Sequence, residues 1–366
     1  MKLPGITGFK HLLFIKKNNH FFMDKIKKRA TIKDIAEHTG FSIATVSRVL
    51  NKKGLFYSTK TFEKIQKAIK EMDYHPDAIA RGLKTQKTFN IAFLEPWISD
   101  FFSEVFLGVQ DAANKAGYSV AIFSSNYNKE QEKRNVNTIL SNRLDGIIIS
   151  SAILDRQNLV KIEEQKIPVV AIEKIVDDSL ISCITIKNKE ISKRAVEYLI
   201  NLGHKRIGFI SEPLDIGNLR YRFKGYKEAL SDNGLTLDES IVFIDETFRG
   251  QRYLTYYDFT KKNLEKIKSC TALFITSDEA ALAAMKALSD GGISVPDDIS
   301  IIGFDGLDMS KYLIPSITTI VQPRYEMGYK AMELLLDLID GKNAGSIELK
   351  AELLIGESTA KPKKNK

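Results

Sequence analysis

Ile43, Ala44, Ser47, Arg48 and Asn51 fall on one side of a helix that starts after Ser42, at 100° per residue, while Val46, Val49 and Leu50 fall on the other. The first side carries small residues, a hydroxyl, an amide and one arginine. Such a face can enter a DNA major groove and present donors to base edges, so the chemistry on offer is recognition rather than bond making. Amphipathic helices packed in any core give part of the same pattern.

Two short helices joined by a tight turn would position these side chains, in the stretch Thr31 to Asn51, TIKDIAEHTGFSIATVSRVLN. Thr31 can cap the first helix and Asp34 sits near its positive end. Ile32, Ile35 and Ala36 give that helix an apolar stripe. Gly40 supplies the left-handed residue that a sharp turn needs, and Ser42 caps the second helix. A third helix is expected from Ser58 or Thr59, with Phe62, Ile65, Ile69 and Met72 closing a core over Val46 and Leu50.

The segment resembles the N-terminal DNA-binding headpiece of the LacI/GalR family of bacterial transcription regulators, whose signature T-I-x-D-I/V-A-x-x-x-G-x-S-x-x-T-V-S-R-V-L-N is matched at nearly every fixed position. The resemblance continues to Ala360. It implies DNA contacts from Thr31, Ser42, Ile43, Ala44, Thr45, Ser47, Arg48 and Asn51. It also makes Pro76 to Lys84, PDAIARGLK, a hinge helix that folds on DNA, with Ala80, Leu83 and Lys84 at the duplex and Leu83 wedged into the minor groove. Gly82 and a length of about nine residues make that helix unstable alone.

A chain of 366 residues exceeds one ordinary domain, and 43% hydrophobic with 27% charged residues is a globular composition. No apolar run reaches membrane-spanning length, and the two cysteines, Cys183 and Cys270, support neither a disulfide framework nor a zinc site. A reducing cytoplasm fits, with no metal and no cofactor expected. The net charge of +8 is unevenly placed: residues 24–88 hold 15 Lys and Arg against 7 Asp and Glu, whereas residues 89–360 hold 31 against 39. A basic head on an acidic body suits selective contact with phosphates.

Residues 1–22 fit nothing downstream and read as a disordered extension or an artefact of start-codon choice, Met23 standing where members of the family usually begin. The headpiece is expected over 23–75, the hinge and linker over 76–88, an effector-binding and dimerisation body over 89–360 and a basic tail over 361–366. From Asn90 short Val and Ile runs alternate with amphipathic helices, which means parallel sheets covered on both faces. The arrangement resembles the type I periplasmic-binding-protein fold: two doubly wound parallel-sheet subdomains joined by three crossovers around a ligand cleft. The resemblance divides the body into 89–172 with 306–321, and 173–305 with 322–360.

Ligands of open α/β sheets bind beyond the carboxyl ends of the strands. By resemblance the candidates there are Arg222 as the ligand-gripping fork, Asp278 as its acidic partner, Glu173 where the family commonly has Asp, and Phe102 in the turn Ser99-Asp100-Phe101-Phe102, which lacks the family's proline. Asp278, at a helix start, also suits a capping role. Lys187 and Trp97 depart from the family pattern; they either admit an acidic or phosphorylated sugar at the cleft rim or face away from it.

The function implied is a dimeric, cytoplasmic, sequence-specific DNA-binding regulator of repressor type that occupies a palindromic operator under control of a sugar or sugar derivative. A nucleoside, purine or other non-sugar effector is the alternative, as is a solute-binding protein without DNA function. No nucleotide-binding loop or nucleophile elbow is present, so no catalytic residue is expected. No leucine heptad follows Ala360, which leaves a dimer as the expected species.

Overall fold

The computed structural model describes residues 30–50, 57–75, 87–97, 99–150, 156–173, 181–216, 218–246 and 252–363. Asn51, and the segment with Ala80, Leu83 and Lys84, lie outside the described residues. The chain divides into two compact units, Met1–Gln86 and Lys87–Lys366.

In the first unit α1 (Ile32–Thr39), α2 (Ile43–Leu50) and α3 (Thr59–Glu71) surround a small core. Ile35, Ala36, Val46, Val49, Ile65, Ala68 and Tyr74 fill it, with Leu50, Ile69 and Met72 at its margin. Phe62 is not part of this core. It is 38% exposed and stacks on Tyr57 instead, because Ile65 and Ala68 define the buried stripe of α3.

The second unit contains β1 (Asn90–Glu95), α4 (Asp100–Ala116), β2 (Ser119–Ser124), α5 (Lys129–Ser141), β3 (Gly146–Ser150), α6 (Arg156–Glu164), β4 (Val169–Ile172) and β5 (Ser182–Ile186). It continues through α7 (Asn188–Asn201), β6 (Ile207–Ser211), α8 (Leu219–Asp232), β7 (Val242–Ile244), α9 (Arg252–Lys262), α10 (Leu264–Ile267), β8 (Ala272–Ile275) and α11 (Asp278–Asp290). β9 (Ser300–Asp305), β10 (Thr318–Val321), α12 (Arg324–Ile339), β11 (Ile347–Leu349) and β12 (Glu352–Leu354) complete it. The Val and Ile runs form β1, β2, β3, β4, β6, β8 and β9, buried at nearly every position except in β2.

The strands form two sheets, β11-β5-β4-β3-β1-β2 and β12-β10-β9-β8-β6-β7. Every pairing is parallel except β10 with β12. Within each sheet the first five strands follow the order 2-1-3-4-5, that of doubly wound folds, with a switch point between the first and third strands. Apolar clusters cover both faces of both sheets.

The division of the body differs from the expected one. β5 pairs with β4 and belongs to the first sheet, whereas β10 pairs with β9 and stays in the second. α12 and β11 return to the first sheet, and β12 goes back to the second. The chain therefore crosses after Ile186, after Val321 and between Leu349 and Glu352. α12 can lie on α4 because Gly108 and Gly328 each face the backbone of the other helix. A Cβ on Gly108 would collide with the Tyr325 carbonyl, and one on Gly328 with the Val105 carbonyl.

Candidate ligand cleft and DNA-reading helix

Thr31 closes α1 with a capping box. Its hydroxyl accepts from the Asp34 backbone N–H at 3.3 Å, while its own N–H donates to Asp34 Oδ2 at 2.7 Å. Gly40 ends the helix at φ 69°, and the Thr45 N–H then donates to Ser42 Oγ at 3.2 Å to start α2. This turn presents Ser42, Ile43, Ala44 and Arg48 to solvent and leaves Thr45 and Ser47 half-buried. Ile43 is 49% exposed, an apolar side chain beside an arginine on the same face. Among the described residues Arg48 makes no ion pair.

In the second unit the carboxyl ends of both sheets open on one cavity of about 690 Å³, counting the part open to solvent. Phe102, Glu173 and Arg222 line it. Arg222 is 7% exposed and its guanidinium is fully engaged. Nε donates to Asn188 Oδ1 at 3.0 Å and Nη1 to the Thr276 carbonyl at 2.7 Å. Nη2 lies 3.4 Å from Glu173 Oε2, Nη1 3.6 Å from Asp305 Oδ1, and the plane sits over the Phe304 ring. Glu173 follows β4 of the first sheet and Asp305 ends β9 of the second, so one guanidinium joins carboxylates from both. Asn218 Nδ2 adds a 2.8 Å bond to Glu173 Oε2. Glu173 has φ 54° and Asp305 φ 110°, left-handed backbone at two non-glycine residues, the kind of local strain that concentrates at functional sites. Burial, eased by the charge of Arg222, drives the Asp305 carboxyl well above the usual carboxylate range.

Asp278, expected to accept from ligand hydroxyls, is not among the residues that line this cavity; the carboxylate beside Arg222 in the wall is Asp305. Ser277 caps α11, which turns the first helical residue inward. Asp278 Oδ2 accepts from the Leu307 N–H and the Ser310 hydroxyl, both at 2.8 Å, and Oδ1 from the Thr319 hydroxyl at 2.6 Å. It therefore fastens the segment after β9 to β10. Lys187 is also absent from the wall; it pairs with Glu190 at 3.4 Å and Glu348 at 3.7 Å.

Trp97 does line the cavity, 4.9 Å from Tyr127 and 5.6 Å edge-on to Phe102 between ring centres. Glu212, Asn218, Tyr256 and Glu279 are among the polar residues of the wall that the sequence did not single out. Glu212 follows β6 directly, so the rule of carboxyl ends could have found it. Tyr256 and Asn218 lie on or before helices and left no such signal. Among the described residues no group of His, Cys, Asp and Glu could hold a metal ion, and no helix is long and apolar enough to cross a membrane.

A helix-turn-helix unit followed by two doubly wound subdomains with a polar cleft between their strand ends defines a regulator with a solute-binding type of body. Residues 31–77 match the family of bacterial regulatory proteins, lacI family, and residues 196–359 the periplasmic binding protein-like domain. The chain is 34% identical over 343 residues to the HTH-type transcriptional repressor CytR of Escherichia coli (strain K12), which covers 92% of this chain and 98% of the relative. Its fold matches the lac repressor dimer bound to operator and the anti-inducer ONPF with a TM-score of 0.78, at 28% identity over 91% of this chain and 100% of the other. A LacI family transcriptional regulator from Enterococcus faecium with bound ribose matches with a TM-score of 0.67, at 26% identity over 75% and 100%.

The chain belongs to the LacI family. It is a DNA-binding transcription regulator, not an enzyme.

Proposed function

We propose that the effector is a hydroxylated small molecule of sugar size held in the cavity by Arg222, Glu173, Asp305 and Phe102. The observation that carries this reading is the Arg222 guanidinium set between Glu173 and Asp305 from opposite sheets. Carboxylates accept from hydroxyls and a guanidinium donates to them, so one hydroxylated ring can replace these contacts on both sides at once. The ribose bound to the Enterococcus faecium regulator supports the class. The aromatic pair Trp97 and Tyr127 favours a second reading, a nucleoside whose base lies against those rings.

DNA reading is assigned to the exposed side of α2, through Ser42, Ile43, Ala44, Thr45, Ser47 and Arg48, with Thr31 at the start of α1 and Asn51 beyond α2. Residues 76–88 are assigned as the hinge, with Ala80, Leu83 and Lys84 at the minor groove of a palindromic operator and Leu83 as the wedge. Since the chain acts on DNA, we place it in the cytoplasm. Thermal unfolding of the full chain against panels of sugars and nucleosides tests the effector class, because a bound ligand raises stability by mass action. A rise with nucleosides and none with sugars selects the second reading, and a rise with neither rejects both.

A further inference from the structure

Glu212 is a buried carboxylate, 6% exposed, in the wall of the cleft. Its partners are both neutral hydroxyls: Tyr256 donates to Oε1, and Thr276 donates to Oε2 at 3.0 Å. Among the described residues no ion pair compensates it, in contrast to Glu173, which has Arg222. Burying a carboxylate away from water carries a large desolvation cost unless a cation or further donors reach it, and two hydroxyls leave acceptor capacity on both oxygens. Among the described residues Arg222 is the only basic side chain in the cavity wall.

Asn218 gives a second, independent sign. It is 3% exposed, and its Nδ2 is committed to Glu173, which fixes the amide so that Oδ1 is the acceptor. That Oδ1 is buried, in a residue of the cavity wall, and has no hydrogen-bond partner among the described residues. A native protein rarely leaves such an atom unsatisfied, so a donor from the ligand is expected there. Around Glu212 the walls are Trp97, Tyr127 and Tyr256, rings whose faces attract cations. Burial and the nearby Glu212 carboxylate push both tyrosine hydroxyls well above their ordinary range, so they stay neutral donors.

We infer that the effector carries a protonated amine on its hydroxylated frame, an amino sugar, with the ammonium at Glu212 among the aromatic rings and a hydroxyl donating to Asn218 Oδ1. This rests on the sugar reading of the same cleft and narrows it. Sugar carboxylates and phosphates are disfavoured, because they would bring a second negative charge against Glu212.

The test is calorimetric titration of the full chain with three matched pairs: glucosamine and glucose, galactosamine and galactose, mannosamine and mannose. At least one amine should bind about tenfold or more tightly than its neutral parent. Its advantage should fade as pH rises through deprotonation of the amine. Glu212→Gln keeps an acceptor for one of the two hydroxyls and turns its amide N–H to the other, which can rotate to accept, and should reduce the advantage to about threefold or less. The wild-type comparison needs no variant, so a misfolded mutant leaves the proposal exposed to refutation. Neutral sugars binding as tightly as their amines would overturn the inference and keep the sugar reading. If none of the six binds, the inference fails; whether the sugar reading fails with it is decided by the broader sugar and nucleoside panel.

Discussion

Glu173 and Arg222 meet at 3.4 Å across the line where the two sheets of the body face each other, one following a strand of the first sheet and the other on a helix of the second. A bond so placed senses the angle between the subdomains. A ligand that takes over either partner has different contacts in the open and closed arrangements, which is the condition for shifting an equilibrium between them. Coupling between effector and DNA of about 1–3 kcal/mol is the usual scale for such a device.

Arg222→Ala should therefore act on both stability and response. It leaves Glu173 and Asp305 buried without their shared cation, and breaking a buried pair from one side costs about 3–5 kcal/mol. Urea unfolding of the body should show that loss. At a temperature where the variant is folded, operator affinity measured with and without effector should show the response abolished. A full response in the variant would place the ligand elsewhere.

Asp278 gives a prediction in pH. Burial raises its carboxyl from 3.8 to about 6, against the opposing effect of the Thr319, Leu307 and Ser310 donors. The fold thus favours the protonated form. The stability this contributes is fully present below the unfolded value of 3.8 and is lost as pH rises through about 6. The change is at most about 3 kcal/mol. Asp305 is shifted in the same direction, so the contribution of Asp278 is isolated by comparing wild type with Asp278→Asn. The variant does not titrate at this position, so its stability should fall less steeply between about pH 4 and 6. Parallel curves for the two proteins would contradict the assignment.

The same two aspartates show what the sequence could and could not convey. The Val and Ile runs of β1, β3, β4, β6, β8 and β9 declare themselves because strands buried on both faces need continuous apolar side chains. SCITI in β5 and TTIV in β10 mix polar with apolar residues, and they stand next to the crossovers, so which sheet each joins is a matter of tertiary pairing. Asp278 follows a strand and opens a helix, which fits two roles equally well on paper. The Ser277 cap turns it away from the cleft, and Asp305, at the end of β9 in left-handed backbone, takes the place beside Arg222. Phe62 has helical spacing but lies off the buried stripe of α3, a difference of one position that periodicity over 13 residues does not resolve.

The crossing of α4 and α12 is a further point of leverage. Gly108 and Gly328 let the two backbones touch, and an added methyl on either meets a carbonyl that belongs to the partner helix rather than a flexible side chain. Gly108→Ala should destabilise the body by about 1–3 kcal/mol or more, despite the gain in helix propensity that alanine brings. Gly117→Ala is a useful contrast: a Cβ there meets nothing, but φ of 75° strains it. Denaturant midpoints of the two variants, with an unchanged slope, measure the difference. Equal stability of Gly108→Ala and wild type would show that the helices can part without cost.

Arg48 is the remaining case, and it concerns the DNA. It is exposed on α2, makes no ion pair among the described residues, and shares its face with Ile43 and Ala44. An arginine so placed can reach guanine O6 and N7 in the major groove, while exposed apolar neighbours suit a thymine methyl. It can also reach only as far as a phosphate, and the two outcomes differ in what they do to specificity. If Arg48 reads a base, Arg48→Ala costs about 1–3 kcal/mol on the cognate operator and little on random DNA. If it holds a phosphate, the loss is the same on every sequence and the salt dependence becomes shallower by about one ion. The arrangement of α2 favours base reading, since Val46 and Val49 on the buried side orient the opposite face outward. Equilibrium binding at three or more salt concentrations, on cognate and scrambled duplexes with both proteins, separates the two. A uniform loss with a reduced salt slope would demote Arg48 to a positioning contact and leave Ser42, Ala44 and Ser47 as the readers of sequence on that helix.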